Sequence, residues 1–126
     1  MVPSERETIL IVDDDAEITD GLAAALESET RRIITCNDVE SAQLVLERMA
    51  VHMLVSDVRF SGPFAFEGLD IIGFAREKAP EVRIVLMSGT GNREIETEAF
   101  RRGATAFLHK PFDVGSLEAL LTGEIQ

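Results

Sequence analysis

The sequence predicts an α/β domain, a doubly wound parallel sheet with helices on both faces, on the strength of two observations. Five strand-like segments alternate with five of helical periodicity along the chain, the pattern of a βα repeat wound onto a parallel sheet. Four of the strand-like segments also end in polar residues that complement one another. Ile9–Val12 runs into Asp13, Asp14 and Asp15; Met53–Ser56 runs into Asp57; Ile84–Met87 ends at Ser88; Ala106–His109 ends at Lys110. In an open parallel sheet, ligands bind beyond the carboxyl ends of the strands, so parallel pairing would gather these ends in one place. Right-handed crossovers leave few ways to wind such a sheet.

The elements follow in order. After the first strand, Asp15 can cap a helix over 16–28 with Ile18, Leu22, Ala25 and Leu26 on one face. Residues 32–36 read as the second strand. Asn37 or Asp38 can cap a helix over 39–49, which turns Ala42, Val45, Leu46 and Met49 inward. The third strand is 52–56, followed by a loop and a helix over 68–78 with Leu69, Ile72, and Phe74 or Ala75 on its apolar side. Ala79-Pro80 stops that helix. A fourth strand over 82–87 precedes a helix over 93–102 that ends at Gly103. The fifth strand is 105–109, and a closing helix over 114–121 is capped near Asp113. With no internal repeat, low-complexity tract or linker, a single domain over 1–126 with its core at about 7–122 is expected. The chain stops just after the fifth helix, so no effector domain is expected within it.

Composition excludes several classes. At 126 residues the chain is long enough to bury a core. No apolar run approaches the ~18 residues needed to cross a bilayer, and Met1–Glu7 lacks the basic start and apolar centre of a secretory signal. No membrane partner is expected. Cys36 is the only cysteine, so no intrachain disulfide can form, which fits a cytoplasmic location. In apolar surroundings it reads as a small core residue. A net charge of -11 argues against direct nucleic-acid binding and reads as a solubilising surface. Of 12 cationic residues only Lys78 and Lys110 are lysines. Lys110 ends an apolar run, where a compact point charge has a different use from a guanidinium fork.

The strand ends carry the chemistry. Asp13 and Asp14 repel each other, and holding them side by side is unfavourable without a cation between them. A helix start needs one acid, which accounts for Asp15 as a cap but not for the pair before it. With Asp57 from another strand end, three carboxylates suit Mg2+, and no Cys or His cluster argues for zinc. Asp57 can also act as a nucleophile, because carboxylates form acyl phosphates. Phosphoryl transfer needs a metal to neutralise charge and donors to hold the transferred oxygens; Ser88, the Gly89 N–H and Lys110 offer such donors. Singly, Ser88-Gly89 is common turn chemistry and Lys110-Pro111 a common strand exit. Their shared end of the sheet is what shifts the reading.

Over essentially its whole length the sequence resembles the receiver domain of two-component response regulators, the CheY-like superfamily. The resemblance rests on Ile11-Val12-Asp13-Asp14-Asp15, Val55-Ser56-Asp57-Val58-Arg59, Leu86-Met87-Ser88-Gly89 and Leu108-His109-Lys110-Pro111-Phe112, in this order and spacing. It implies a flavodoxin-like (βα)5 fold with strand order 2-1-3-4-5, and a signalling protein rather than a turnover enzyme. It implies that Asp57 accepts a phosphoryl group from a sensor histidine kinase, a phosphotransfer protein or a small phosphodonor. Asp13, Asp14, Asp57 and the Arg59 backbone carbonyl would hold Mg2+. Ser88 would be the switch hydroxyl, Lys110 the phosphoryl-binding lysine and Phe107 the aromatic switch, while Arg59 and Thr90 would tune phosphoryl lifetime. For Phe107 a permanently buried core ring is an equal reading. His109 reads as a surface-side or a packing residue, and His52 falls at the opposite end from the site. Output would run through the fourth helix, fifth strand and fifth helix to an unidentified downstream protein. Phosphorylation-dependent homodimerisation is one route, since Arg93, Arg101 and Arg102 stand beside Glu94, Glu96 and Glu98.

The loop after Asp57 departs from the family pattern. Gly68-Leu69 comes 11 residues past Asp57, an insertion of about three residues. Phe60–Phe66 holds three of the seven phenylalanines, around Pro63. Those rings either tuck against the sheet or stand open to a partner; as a lid over the aspartyl phosphate they would slow hydrolysis or select the kinase. The alternative function is a receiver-like interaction module that switches without phosphorylation. Losing the acid pair, Asp57 or Lys110 would mark it, and all are present. An aspartate-nucleophile phosphatase would want a second acid two residues past the nucleophile, where Arg59 stands. A flavin carrier would want a phosphate cradle where Asp13-Asp14-Asp15 would repel phosphate.

Overall fold

The structure, a computed structural model, describes residues 6–58, 67–89 and 93–122. Five parallel strands, β1 (Glu7–Val12), β2 (Arg31–Cys36), β3 (Met53–Asp57), β4 (Arg83–Ser88) and β5 (Ala106–His109), form one sheet in the order β2-β1-β3-β4-β5. They alternate with α1 (Ala16–Leu26), α2 (Val39–Arg48), α3 (Glu67–Lys78), α4 (Arg93–Arg102) and α5 (Val114–Thr122). The expected class, strand order and element sequence are all present, with ends shifted by a residue or two.

Strand residues alternate between two cores, as a pleat of period two requires. Leu10, Val12, Leu54, Ile84 and Leu86 face one side, where α2, α3 and α4 cover them. Ile9, Ile11, Met53, Val55, Val85 and Met87 face the other, beneath Leu22 and Leu26 of α1 and Leu117 and Leu121 of α5. Burial on both faces is why the strands read as nearly unbroken aliphatic runs. Each such side chain contributes about 1.5–3 kcal/mol of burial before chain entropy is set against it.

One expectation about the helices needs correcting and one alternative is decided. The buried stripe of α1 is Thr19, Leu22 and Leu26, with Ile18 half-buried, and Ala25 faces solvent. A polar residue can lie under the helix there because its hydroxyl finds partners inside the protein. Of the two cap choices for α2, Asp38 is the one used: its carboxylate accepts the Ser41 N–H at 2.7 Å, which holds its carboxyl below the usual range. Asp15 and Asp113 cap α1 and α5 in the same manner, accepting from Glu17 at 3.0 Å and Ser116 at 2.7 Å. Burial, with Asp38 nearby, pushes the Cys36 thiol up, so it stays protonated and acts as a core residue. Among the described residues no helix is long and apolar enough to cross a membrane.

Arginines fasten the lower, amino-terminal edge of the sheet. Arg31 donates to the Leu26 carbonyl at the end of α1 (3.3 Å) and pairs with Glu118 of α5. Arg83 donates to the Leu120 and Leu121 carbonyls at the end of α5 (3.4 and 3.0 Å). Arg76 of α3 donates to the carbonyls of Pro80 (3.0 Å), Val82 (2.5 Å) and Gly103 (2.5 Å). A planar fork bridges several carbonyls where an ammonium acts as a point charge, and positive charge suits a helix C-terminus. Gly103 closes α4 with a φ of 115°, its N–H donating to Phe100 and that of Ala104 to Ala99. A Cβ on Gly103 would meet Arg76 Nε at 2.8 Å. Gly103→Ala is therefore expected to destabilise the fold by about 2–4 kcal/mol, through backbone strain and displacement of the guanidinium. A urea midpoint equal to that of the wild type would contradict this account.

Candidate functional site

The strand register builds the site. Val12 lies beside Ser56, so Asp13 comes level with Asp57; Asp57 lies beside Met87, so Ser88 stands one step further out. Ser88 lies beside His109, which sends Lys110 one step further again. The backbone fixes these exits, with the Val58 N–H donating to Met87 at 2.9 Å and that of Lys110 to Ser88 at 2.7 Å. Asp13, Asp14, Asp57, Ser88 and Lys110 thus share the carboxyl edge of the sheet, as expected. The Lys110–Pro111 peptide is cis.

Asp13, Asp14 and Asp57 each offer a carboxylate oxygen, all within 4.8 Å of one another. Asp13 is 1% exposed and Asp57 8%, while Asp14 faces solvent. Asp13 Oδ1 accepts the Asp15 N–H at 2.9 Å, and its Oδ2 accepts from Lys110 Nζ at 2.7 Å. The same ammonium stands 3.7 Å from Asp57 Oδ1. Three carboxyl groups thus gather around one ammonium, a donor set rich in negative charge that suits a divalent cation. Like charges packed this closely in a half-dry site disfavour one another. The donors are all hard oxygens with solvent on one side, which fits Mg2+ and its retained waters.

Ser88 is buried at the end of β4. Phe107 is half-buried rather than the fully buried ring of one reading, and it packs against the α2–α3–α4 side of the sheet. Its ring centroid lies 5.3 Å from that of His109, tilted by 43°. His109 is exposed, as expected, with Nε2 3.4 Å from Glu96 of α4. His52 sits at the far edge, where its Nδ1 accepts the Thr8 N–H at 2.9 Å. Arg59, Thr90 and the Phe60–Phe66 loop lie outside the described residues.

Two grooves adjoin these groups. One of about 650 Å³ opens beside Lys110 between α1 and α5, lined by Ile18, Leu22, Pro111, Phe112 and Val114. Another of about 480 Å³ lies over β5 between α4 and α5, lined by Phe100, Phe107, Leu108 and Leu120. Sequence reasoning missed one residue at the rim. Asn37, read as a cap alternative, instead donates to the Asp13 carbonyl and the Thr19 hydroxyl. The one available signal was a threonine on an otherwise apolar helix stripe.

Known proteins share this sequence pattern and this fold. The family model for the response regulator receiver domain matches residues 9–122. The nitrogen assimilation regulatory protein NtrX of Azorhizobium caulinodans is 33% identical over 109 residues, covering 86% of this chain and 24% of the relative. A response regulator receiver protein from Pseudomonas putida superposes with a TM-score of 0.84 at 28% identity, covering 95% of this chain and 98% of that one. The beryllofluoride-activated NtrC4 receiver domain dimer does so with a TM-score of 0.79 at 29% identity, covering 91% and 93%. The chain spans about a quarter of the length of NtrX and 60% of that of the regulatory protein RegA of Rhodobacter capsulatus, 31% identical over 114 residues.

Proposed function

The chain belongs to the response regulator receiver domain family, and from that premise we propose that it accepts a phosphoryl group on Asp57, with Mg2+ bound, and relays the change to its α4–β5–α5 face. The observation that carries this reading is the single Lys110 ammonium shared between Asp13 and Asp57 within a cluster of three acids. The Asp57 carboxylate attacks the phosphorus of a phosphohistidine on a sensor kinase or phosphotransfer protein, or of a small donor. The bond from phosphorus to the donor atom breaks, and an aspartyl phosphate forms. Bound by Asp13, Asp14, Asp57 and the Arg59 carbonyl, Mg2+ would supply charge neutralisation for the transferred oxygens. Lys110 turns from Asp13 to one phosphoryl oxygen, and the Ser88 hydroxyl moves to donate to another, both stabilising the charge that gathers there. Movement of Ser88 frees space that the half-buried Phe107 ring fills, which makes a two-state element of the α4–β5 seam. Arg59 and Thr90 tune hydrolysis of the acyl phosphate. The protein assists its own phosphorylation and dephosphorylation and turns over no external substrate.

Partners follow from the surfaces. The apolar groove beside Lys110 suits the protein phosphodonor, which must bring its phosphohistidine to Asp57. The α4–β5–α5 groove, with Phe100 44% exposed on its margin, suits a downstream protein or a second copy of the chain. That a beryllofluoride-activated relative is a dimer supports the second copy. A cytoplasmic setting belongs to the same reading. The test is incubation of the chain with a small acyl phosphate and Mg2+, followed by intact mass. One base-labile phosphoryl group is expected, and none when the metal is chelated. No gain in mass would favour an interaction module that switches without phosphorylation.

A further inference from the structure

We infer that Asn37 is a positioning residue for the metal-binding acids, acting through the backbone of Asp13 and oriented by the buried hydroxyl of Thr19. The inference rests on the Mg2+ reading above. Asn37 stands just past β2, where Asp38 already caps α2, so capping leaves Asn37 no task. Its amide nitrogen carries two hydrogens, and each has an acceptor: the Asp13 carbonyl at 2.8 Å and Thr19 Oγ1 at 3.0 Å. The Thr19 hydroxyl donates onward to the Ala16 carbonyl at 3.2 Å, in the first turn of α1. A chain of three hydrogen bonds thus runs from α1 through the exit of β2 to the loop that carries the acids.

The placement of Thr19 supports this assignment. It is 0% exposed on the stripe it shares with Leu22 and Leu26, where a valine of similar shape would pack as well. A hydroxyl buried there is justified by the amide it orients. The Asp13 N–H also donates to the Cys36 carbonyl at 3.1 Å, so the exit of β2 holds Asp13 by both its N–H and its C=O. The Asp13 carbonyl belongs to the peptide unit that joins Asp13 to Asp14. Fixing it fixes the plane of that unit, and with it the direction in which the two carboxylates leave the backbone. Groups that orient metal ligands from behind typically govern affinity by 10–100-fold.

Titration calorimetry with Mg2+ on the whole chain tests the assignment. Asn37→Ala is expected to weaken Mg2+ binding by about tenfold or more, and Thr19→Val to weaken it in the same direction. Thr19→Ser, which keeps the hydroxyl, retains wild-type affinity. In the presence of chelator both variants should melt below the wild type, Thr19→Val for its lost hydrogen bonds and Thr19→Ser for its lost buried methyl, so a loss of Mg2+ affinity confined to Thr19→Val is not a general loss of stability. Phosphorylation by a small acyl phosphate should need more Mg2+ in Asn37→Ala yet reach the wild-type maximal rate. Should Asn37→Ala lose its fold, the valine–serine pair at Thr19 decides the matter alone. Unchanged Mg2+ affinity in Thr19→Val, with the wild type binding, overturns the inference. A wild type that binds no Mg2+ overturns the functional reading beneath it instead.

Discussion

Asp57→Asn takes up no phosphoryl group under conditions that modify the wild type to completion. The substitution keeps the shape of a side chain that is only 8% exposed and replaces a nucleophilic carboxylate with an amide. Lys110 keeps its closer partner, since its ammonium lies 2.7 Å from Asp13 and 3.7 Å from Asp57. One fewer like charge among three acids also relieves repulsion. The variant should therefore melt no lower than the wild type in chelator, which separates lost chemistry from lost fold. Intact mass reads the outcome. A phosphoryl group on the variant would move the acceptor to Asp13 or Asp14 and undo the assignment of roles.

Lys110→Ala should slow phosphoryl transfer by about 10²–10³-fold, the effect of removing one preorganised donor from a developing anion. Several other described cations are engaged elsewhere. Arg31, Arg76 and Arg83 fasten carbonyls at the opposite edge, and Lys78 lies over the Phe74 ring at the end of α3. Lys110→Arg should rescue little, because a guanidinium fork cannot stand as a point between two strand ends. Removing the ammonium also takes one positive charge away from the three acids, so Mg2+ should bind the Lys110→Ala variant more tightly than the wild type. Single-turnover rates with saturating Mg2+ check the first effect and calorimetry the second. A slowing of less than tenfold would show that Ser88 and the metal suffice.

Most of the site could be read from the chain because a parallel sheet forces every strand end to one edge. Asp13, Asp57, Ser88 and Lys110 would meet there whatever the register, and the register decided only their heights. What could not be read depends on contacts between remote residues. Arg76 meets the Gly103 carbonyl 27 residues away, and Arg31 meets Glu118 across 87. The excess of arginine over lysine was visible, whereas its use as a fork across helix-end carbonyls was not. Asn37 and Asp38 are equally good caps by composition, and only the geometry of the β2 exit divides their tasks. Thr19 in place of Ala25 on the buried stripe is the same fact seen from α1.

The fastening of Gly103 by Arg76 makes α4 a cantilever. Its ten residues span about 15 Å, clamped at the lower end and beginning beside the edge where Ser88 lies. A tilt of about 10° at the clamp leaves Gly103 in place and sweeps the upper end through about 2.5 Å. The contact between Glu96 and His109, 3.4 Å long in this state, lies within that arc. In the proposed switch the geometry is set by length rather than by energy: a shift of the upper end beside Ser88 would fade toward Gly103 in proportion to the distance left to the fulcrum, so the Glu96–His109 contact would feel most of it.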